Sequence, residues 1–154
     1  MITFQEAYQQ VLAHKQNYGL EEVPLPKAMG RVLAEDILAD RDFPPFDRAT
    51  KDGIALNYAA IKNGIKKFKI EAVVAAGSPI YTLIHEHNCV EIMTGAVVPE
   101  NVDTIVMYEH ITIENGYAVL NNEPTQGQEI HFQGSDEQKD AIVLRKDKVI
   151  TASE

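Results

Sequence analysis

Two different spacings of apolar side chains follow one another along this chain. Near the N-terminus, apolar residues recur at the three- and four-residue intervals of one helix face: Phe4, Ala7, Tyr8, Val11 and Leu12. Thr3 and Glu6 have the spacing of a capping box, in which each side chain accepts a hydrogen bond from the other residue's free backbone N–H. A first helix is therefore predicted from this point, with Gly19 well placed to end it.

From Phe43 onward the pattern becomes that of β-strands. Side chains alternate between the two faces of a half-buried strand over 68–74. Short apolar runs at 104–108 and 142–144 predict two more strands. The sequence Asn115-Gly116 between apolar pairs predicts a β-hairpin, because a type I′ turn needs positive φ at both central residues.

Three shorter segments carry local signals. A short helix is predicted over 57–63, with Gly64 to stop it. One helical turn is predicted over 26–29, with Gly30 after it. Residues 32–39 form either a strand or a short helix, and periodicity does not decide between them.

These elements predict an α+β fold dominated by β-structure. An irregular β-rich lobe over 42–138 is inserted into a small mixed α/β lobe. The small lobe combines residues 1–41, which carry the first helix, with residues 139–154, which carry the last strand. We expect these two outer segments to pack together.

Charge restricts the possible partners. The chain has 154 residues with 14 basic and 23 acidic side chains, which gives a net charge of −9. Broad nucleic-acid binding is not expected, because it needs basic patches that displace counterions from phosphates. An anionic substrate would need a metal ion, nearby lysines or a helix N-terminus to offset the repulsion.

The chain also lacks signals for export or for a membrane. The first residues have neither the basic nor the apolar region of a signal peptide, and no apolar run has the length of a membrane span. The single cysteine, Cys89, excludes an intrachain disulfide and is expected in the core. His85 and His87 have no further zinc ligand nearby, so we expect them at the surface. A cytoplasmic protein is predicted.

The first candidate for chemistry is Lys51-Asp52-Gly53, which follows the proline-rich segment 43–47. Asp-Gly is common in tight turns, so a simple turn is one interpretation. The other is a carboxylate held on a constrained loop, where it can bind a metal or orient water while Lys51 holds an oxyanion.

The second candidate is Thr94-Gly95, within the apolar run that Pro99 closes. A glycine allows close approach of the backbone to a ligand, its N–H can donate to an oxyanion, and the hydroxyl of Thr94 both donates and accepts. The alternative is a strand that ends in a β-bulge with the threonine on its surface. A third segment, Gly134-Ser135-Asp136, offers another loop carboxylate, or else a solvated acidic loop beside Glu137.

In order and spacing, these segments resemble the N-terminal half of the molybdopterin molybdenumtransferases, the molybdenum insertases related to the gephyrin E domain. The resemblance is carried by three blocks and an early Leu-Gly-Arg-like pattern: 43–53, 92–109, 127–136 and 29–36. It covers nearly the whole chain, and its most specific part is Ile92-Met93-Thr94-Gly95-Ala96.

The resemblance implies a function and partners. Members of this family insert molybdate into adenylylated molybdopterin and release AMP, with Mg²⁺ assisting, and they are elongated homodimers. It places Asp52, Thr94 and Asp136 at functional positions, with substrate contacts at Lys51, Gly53, Gly95 and Ser135. The resemblance assigns no residue of this chain as a metal ligand. These 154 residues do not include the nucleotide-fold and C-terminal domains of the family. We therefore expect the 154 residues alone to be inactive.

A second function remains open beside the insertase. Glu91 and His131 stand where the family commonly carries arginines, and their loss would weaken anion binding. The alternative is therefore a divergent, non-catalytic module that keeps the fold and dimerises or binds a partner.

Overall fold

A computed structural model describes residues 2–154 of the protein. Two α-helices and ten short strands are connected by turns, so the predicted α+β fold dominated by β-structure is confirmed. The helices are α1 (Phe4–Ala13) and α2 (Tyr58–Lys62). The strands are β1 (Ile37–Leu38), β2 (Arg48–Ala49), β3 (Gly53–Leu56), β4 (Lys67–Val74), β5 (Asn88–Ile92), β6 (Thr104–Met107), β7 (Ile111–Glu114), β8 (Tyr117–Leu120), β9 (Ile130–His131) and β10 (Ile142–Leu144).

Contacts divide the chain into two compact units. One comprises the residues up to Ile37 together with Leu144–Glu154, and the other comprises Leu38–Val143. The lobes drawn from the sequence, 1–41 with 139–154 and 42–138, remain a prediction about independently folding domains, which a division by contacts within one chain does not test. None of the helices within residues 2–154 has the length and apolar character that a membrane crossing requires.

The first helix has the predicted beginning and an earlier end. Glu6 N–H donates to Thr3 Oγ1 at 3.3 Å and Thr3 N–H donates to Glu6 Oε2 at 2.8 Å, which completes the capping box. The helix ends at Ala13 rather than at Gly19, because His14 N–H turns back to the Val11 carbonyl at 3.1 Å. None of its side chains is buried.

The other local predictions agree with the structure in most places. α2 begins after Asn57, whose side chain accepts from Ala59 N–H at 2.9 Å, and Gly64 follows it with a φ of 86°. A 3₁₀ turn over Leu25–Lys27 precedes Gly30. Residues 32–39 are extended rather than helical: Val32 bridges to Val149, and β1 pairs with β10.

A six-stranded sheet forms the centre of the larger unit, in the order β6-β3-β5-β4-β8-β7. All neighbouring strands are antiparallel except β4 and β5, which are parallel. The β7–β8 hairpin turns at Asn115 and Gly116 with φ values of 53° and 76°, as the sequence predicts.

The central strand β3 is buried on both faces of the sheet, and its successive side chains point to opposite sides. In β3, Ile54 and Leu56 belong to one buried cluster with Phe68 and Cys89. Ala55 belongs to a second cluster, together with Val90, Ile92 and Ile105 of the adjacent strands. The central strands are thereby fixed, and the loops at their ends are held by a rigid support.

Gly53 at the start of β3 is required by packing. A Cβ atom there would lie 2.0 Å from the Val106 carbonyl oxygen and 2.8 Å from Met107 Cα, so backbone atoms would have to move. Gly53 pairs with Ile92 on one side and with Met107 on the other, which leaves no room for that movement.

We therefore expect Gly53→Ala to lower the free energy of unfolding by about 3 kcal/mol or more, through overpacking. The matched control is Gly116→Ala, where nothing lies within 4 Å and only a φ of 76° is strained; it should cost about 1 kcal/mol. Urea unfolding followed by circular dichroism measures both. Equal losses in the two variants would show that the close approach at Gly53 is not a constraint.

Candidate functional site

Backbone hydrogen bonds hold the acidic loop 134–137 against the proline-rich segment. Phe43 N–H donates to the Glu137 carbonyl at 2.7 Å, and Asp136 N–H donates to the Phe43 carbonyl at 2.9 Å. Gly134 N–H donates to the Pro44 carbonyl at 3.0 Å. The position of Asp136 is therefore set by the segment at Phe43, which lies more than ninety residues earlier in the sequence.

Strand β2 connects this region to the Thr94 loop. On one edge, Ala49 N–H donates to the Ala96 carbonyl and Gly95 N–H donates to the Ala49 carbonyl, both at 2.9 Å. On the other edge, β2 pairs antiparallel with β9, and Thr50 N–H donates to the Glu129 carbonyl at 3.0 Å. The turn at Gly95 and the segment at Glu129, which are distant in sequence, are therefore hydrogen-bonded on opposite edges of β2 and the residue after it.

Asp52 and Thr94 are in direct contact. Oδ1 of Asp52 accepts from the backbone N–H of Thr94 and from its hydroxyl, each at 2.7 Å. Oδ2 of Asp52 has no hydrogen-bond partner among residues 2–154, and the side chain is exposed. One carboxylate oxygen is therefore fixed by the protein and the other faces solvent.

These contacts change the acidity of Asp52. The backbone N–H of Thr94, and after it the hydroxyl of Thr94, hold the pKa of the Asp52 carboxyl below its usual value, because both donors stabilise the ionised form. The nearby Tyr108 has a raised pKa, first through burial and then through the negative charges of Glu91 and Asp52. The site is anionic near neutral pH.

Gly95 allows a tight turn, whereas the sequence suggested that its N–H could donate to an oxyanion. Ala96 N–H donates to the Met93 carbonyl at 3.0 Å, which makes a four-residue turn with Gly95 at its third position and a φ of 84°. The N–H of Gly95 is bonded to Ala49 and is not available for a ligand. β5 ends at Ile92, so the segment is a turn after the strand rather than a bulge.

Asp136 lies in a different group of side chains. Its Oδ1 is 2.8 Å from His131 Nε2, and His131 Nδ1 is 3.1 Å from Nη2 of Arg48. The side chains of Lys51 and Ser135 form no hydrogen bond or ion pair within residues 2–154. The structure thus brings Asp52 to Thr94, and it links Asp136 to β2 through His131, while the catalytic and binding roles of all these residues stay predictions.

Sequence reasoning missed Arg48 and His131 as members of the site. Their pairing across β2 and β9 joins positions 83 residues apart, and no local pattern indicates it. The signal present in the sequence is the alternation of polar Arg48, apolar Ala49 and polar Thr50, which is typical of a strand with one solvent face.

The remaining candidates lie elsewhere. Cys89 is fully buried, as predicted, and burial followed by the charges of Glu91 and Glu71 raises its pKa to about 12. His85 and His87 are exposed, as predicted. Two open cavities, of about 270 and 540 Å³, are lined by other parts of the larger unit: residues 61–66 with 120–123, and residues 83–87 with Asn57 and Asn101. The polar groups around Asp52, in contrast, are held in place by hydrogen bonds of the fold.

The donor set does not form a resident metal site. Within residues 2–154, no three histidine, cysteine, aspartate or glutamate side chains are grouped so that they could hold a metal ion. Asp52 and Asp136 each have one carboxylate oxygen engaged, by Thr94 and by His131, and they belong to different groups of side chains. The described residues therefore do not fit a magnesium ion held by protein groups alone.

Comparison with known proteins identifies the family. A sequence model described as the MoeA N-terminal region (domain I and II) matches residues 2–154. The chain belongs to this family. The resemblance found in the sequence is thereby confirmed.

Individual relatives agree with this assignment. The chain is 37% identical over 146 residues to a molybdopterin molybdenumtransferase of Synechocystis sp., covering 94% of this chain and 37% of the relative. It is 33% identical over 156 residues to the protein of that name from Staphylococcus aureus, covering 97% and 36%. Among solved structures, a molybdopterin biosynthesis MoeA protein from Pyrococcus horikoshii superposes with a TM-score of 0.84 at 29% identity, covering 99% of this chain and 40% of that one.

This chain, a MoeA N-terminal region, therefore spans less than half the length of each of these relatives.

Replacing Thr94 tests the Asp52 contact. Thr94→Val removes the hydroxyl donor and keeps the backbone N–H, so we expect the pKa of Asp52 to rise toward its usual value without reaching it. The folded-state pKa lies below the unfolded one, so this contact stabilises the fold above the unfolded pKa and is lost as the pH falls through the folded pKa. The stability difference between wild type and variant should disappear in acid.

Carbon-13 NMR of the Asp52 carboxyl gives the pKa directly. Thr112→Val is the matched control, since that hydroxyl binds Asn121 in the hairpin and should leave Asp52 unchanged. An Asp52 pKa that is the same in wild type and Thr94→Val would contradict the described hydrogen bond.

Proposed function

We propose that this chain is the N-terminal part of a molybdenum insertase, acting in molybdenum cofactor biosynthesis. The reaction is transfer of molybdate into adenylylated molybdopterin with release of AMP. The observation that carries the proposal is the Asp52–Thr94 contact, which fixes an exposed, ionised carboxylate within a family whose relatives bear the name molybdopterin molybdenumtransferase.

The proposed role of Asp52 follows from its free oxygen. Thr94 saturates Oδ1 and prevents rotation of the carboxylate, so Oδ2 has a fixed direction toward solvent. A carboxylate in this state can accept a proton from a bound water or polarise it during transfer. Thr94 can still accept a hydrogen bond at its hydroxyl oxygen. Asp136 would act from the opposite side of β2, with Lys51 and Ser135 as contacts for substrate oxygens.

Magnesium enters the proposal only with the substrate. Mg²⁺ prefers oxygen ligands and usually keeps several waters while it binds one or two carboxylates and phosphate oxygens. Since the described residues do not form a complete metal site, the phosphate groups of the substrate would supply the missing oxygens.

We also propose a cytoplasmic homodimer for the complete gene product. The helix α1 supports an association surface, because its apolar side chains Phe4 and Val11 remain 83% and 72% exposed within this chain. Side chains of this size are rarely left in water along a whole helix face without a partner surface.

The direct test is molybdenum insertion by the complete gene product that contains these residues. We expect Asp52→Asn to lower the rate of AMP release about 100-fold or more, the size of effect typical for loss of a proton-transfer group. The amide oxygen of asparagine can still accept both hydrogen bonds from Thr94, so the fold should be retained.

The control for this test is Asp40→Asn. Asp40 is exposed and forms its ion pair with Arg41 at 2.7 Å, away from Thr94. It removes the same charge from a chain of net charge −9 and should leave the rate unchanged. Full activity of Asp52→Asn, or equal losses in both variants, would remove Asp52 from the proposed reaction.

The second candidate function is a non-catalytic module that dimerises or binds a partner. It is favoured by the exposed apolar face of α1, and by Glu91 and His131 at positions where the family commonly carries arginines. Sedimentation of the gene product together with the insertion assay separates the two. Dimerisation with no AMP release from the wild type would support the module and reject the insertase.

A further inference from the structure

Three side chains form a continuous hydrogen-bonded row across β2 and β9. Nη2 of Arg48 lies 3.1 Å from Nδ1 of His131, and Nε2 of His131 lies 2.8 Å from Oδ1 of Asp136. Arg48 and His131 are directly opposite each other in the strand pair, so their side chains point to the same face. The row joins a cation to one of the predicted site carboxylates.

The row fixes the proton of His131. A guanidinium group has only donors, so Nδ1 of His131 must accept from Arg48 and carries no proton. Nε2 must then carry the proton and donate it to Asp136. This geometry matches the tautomer that carries the proton on Nε2, in which each ring nitrogen is paired with its neighbour.

Arg48 retains most of its capacity for binding. A guanidinium has five N–H donors, and only one hydrogen bond from the Arg48 side chain, to His131, occurs within residues 2–154. The residue is exposed, and the side chains of His131 and Asp136 are 29% and 56% exposed. The charged residues that neighbour this row along the chain are Asp47, Lys51, Asp52, Glu129 and Glu137.

A structural role accounts poorly for this row. Exposed ion pairs contribute little to stability, because water screens them and long side chains lose freedom. The fold around β2 is held by backbone hydrogen bonds that do not involve these side chains. The row holds the flexible guanidinium group of Arg48 in a defined position on the surface of an acidic protein.

We propose that Arg48 is an oxyanion ligand of this site and that His131 is the positioning residue that directs it. The ligand class is a tetrahedral oxyanion, either free molybdate or the phosphate group of a nucleotide-linked substrate. The guanidinium fork matches two oxygens of such an anion. This inference rests on the proposed function, since it supplies the cation that an anionic substrate needs in a chain of net charge −9.

The position of the proton is tested first. Long-range proton–nitrogen NMR of the purified protein distinguishes the two neutral tautomers of His131. We expect the form with the proton on Nε2 in the wild type. The opposite tautomer, or two equally populated tautomers, would overturn the positioning role.

Anion binding is tested by titrating sodium molybdate, inorganic phosphate and AMP separately, each to about 10 mM. The Nε–H signal of Arg48 and the signals of His131 report the site directly. We expect Arg48→Gln to weaken binding at least about tenfold, since a charge-assisted contact is lost. Arg41→Gln is the matched control, because Arg41 is also exposed but is paired with Asp40.

Two substitutions of His131 separate positioning from mere bulk. His131→Ala should weaken binding about threefold, because Arg48 loses its fixed direction while keeping its charge. His131→Gln should restore binding close to wild type, since the glutamine side chain can accept from Arg48 and donate to Asp136. A rescue that fails, with the fold intact, would contradict the positioning role.

The source of the oxyanion follows from the order of affinities. Tighter binding of molybdate than of phosphate indicates a molybdate subsite, and tighter binding of AMP indicates a nucleotide phosphate subsite. No shift with any of the three anions, or equal weakening by Arg48→Gln and Arg41→Gln, would overturn the proposal.

Failure of this inference is distinguishable from failure of the proposed function. If Asp52→Asn abolishes AMP release while Arg48→Gln binds anions like the wild type, only the role of Arg48 is rejected. If Arg48→Gln loses anion binding while Asp52→Asn keeps full activity, the insertase role of Asp52 is rejected and the anion site remains.

Discussion

Hydrogen bonding on both edges of the two-residue strand β2 is the constraint on which the candidate site depends. Ala49 exchanges bonds with Gly95 and Ala96 on one edge, and β2 faces β9 on the other. Without these bonds the Thr94 turn and the acidic loop would have no common support. Asp52 lies three residues after the end of β2, so the bonds that hold this strand also bring Asp52 close to Thr94.

The electrostatics of the site follow from this arrangement. The donors of Thr94 keep Asp52 ionised, and its charge adds to an already acidic surface. An oxyanion substrate is then repelled unless a cation stands nearby. Arg48 meets that need from the strand that organises the site, and its link to His131 and Asp136 gives the cation a direction. Residues 48–52 thus supply backbone support, a carboxylate and a positive charge.

Local signals in the sequence predict local structure well. The capping box at Thr3, the Asn115-Gly116 turn and the helix after Asn57 are all present, because each depends on residues within a few positions. The end of α1 was wrong, since the turn at His14 closes the helix before Gly19 can act. Residues 32–39 were undecided because short apolar runs suit either element.

The site was only partly predictable for the same reason. Asp52, Thr94 and Asp136 stand out as polar residues in turns, and the resemblance to a family placed them together in one site. The parallel pairing of β4 with β5 and the pairing of β2 with β9 join segments far apart in sequence, so no local pattern encodes them. Arg48 and His131 become neighbours only through the pairing of β2 with β9. The engagement of Gly95 N–H with Ala49 likewise could not be read from a Thr-Gly dipeptide.

Native-state amide hydrogen exchange tests the central role of β2 most directly. The amides of Ala49, Thr50 and Gly95 all depend on this strand, so they should open together with similar protection. The amide of Thr94, which donates to Asp52, should share that protection. Rapid exchange at Thr94 and Gly95 while Thr50 stays protected would show that the two loops are not joined through β2 and would contradict the account.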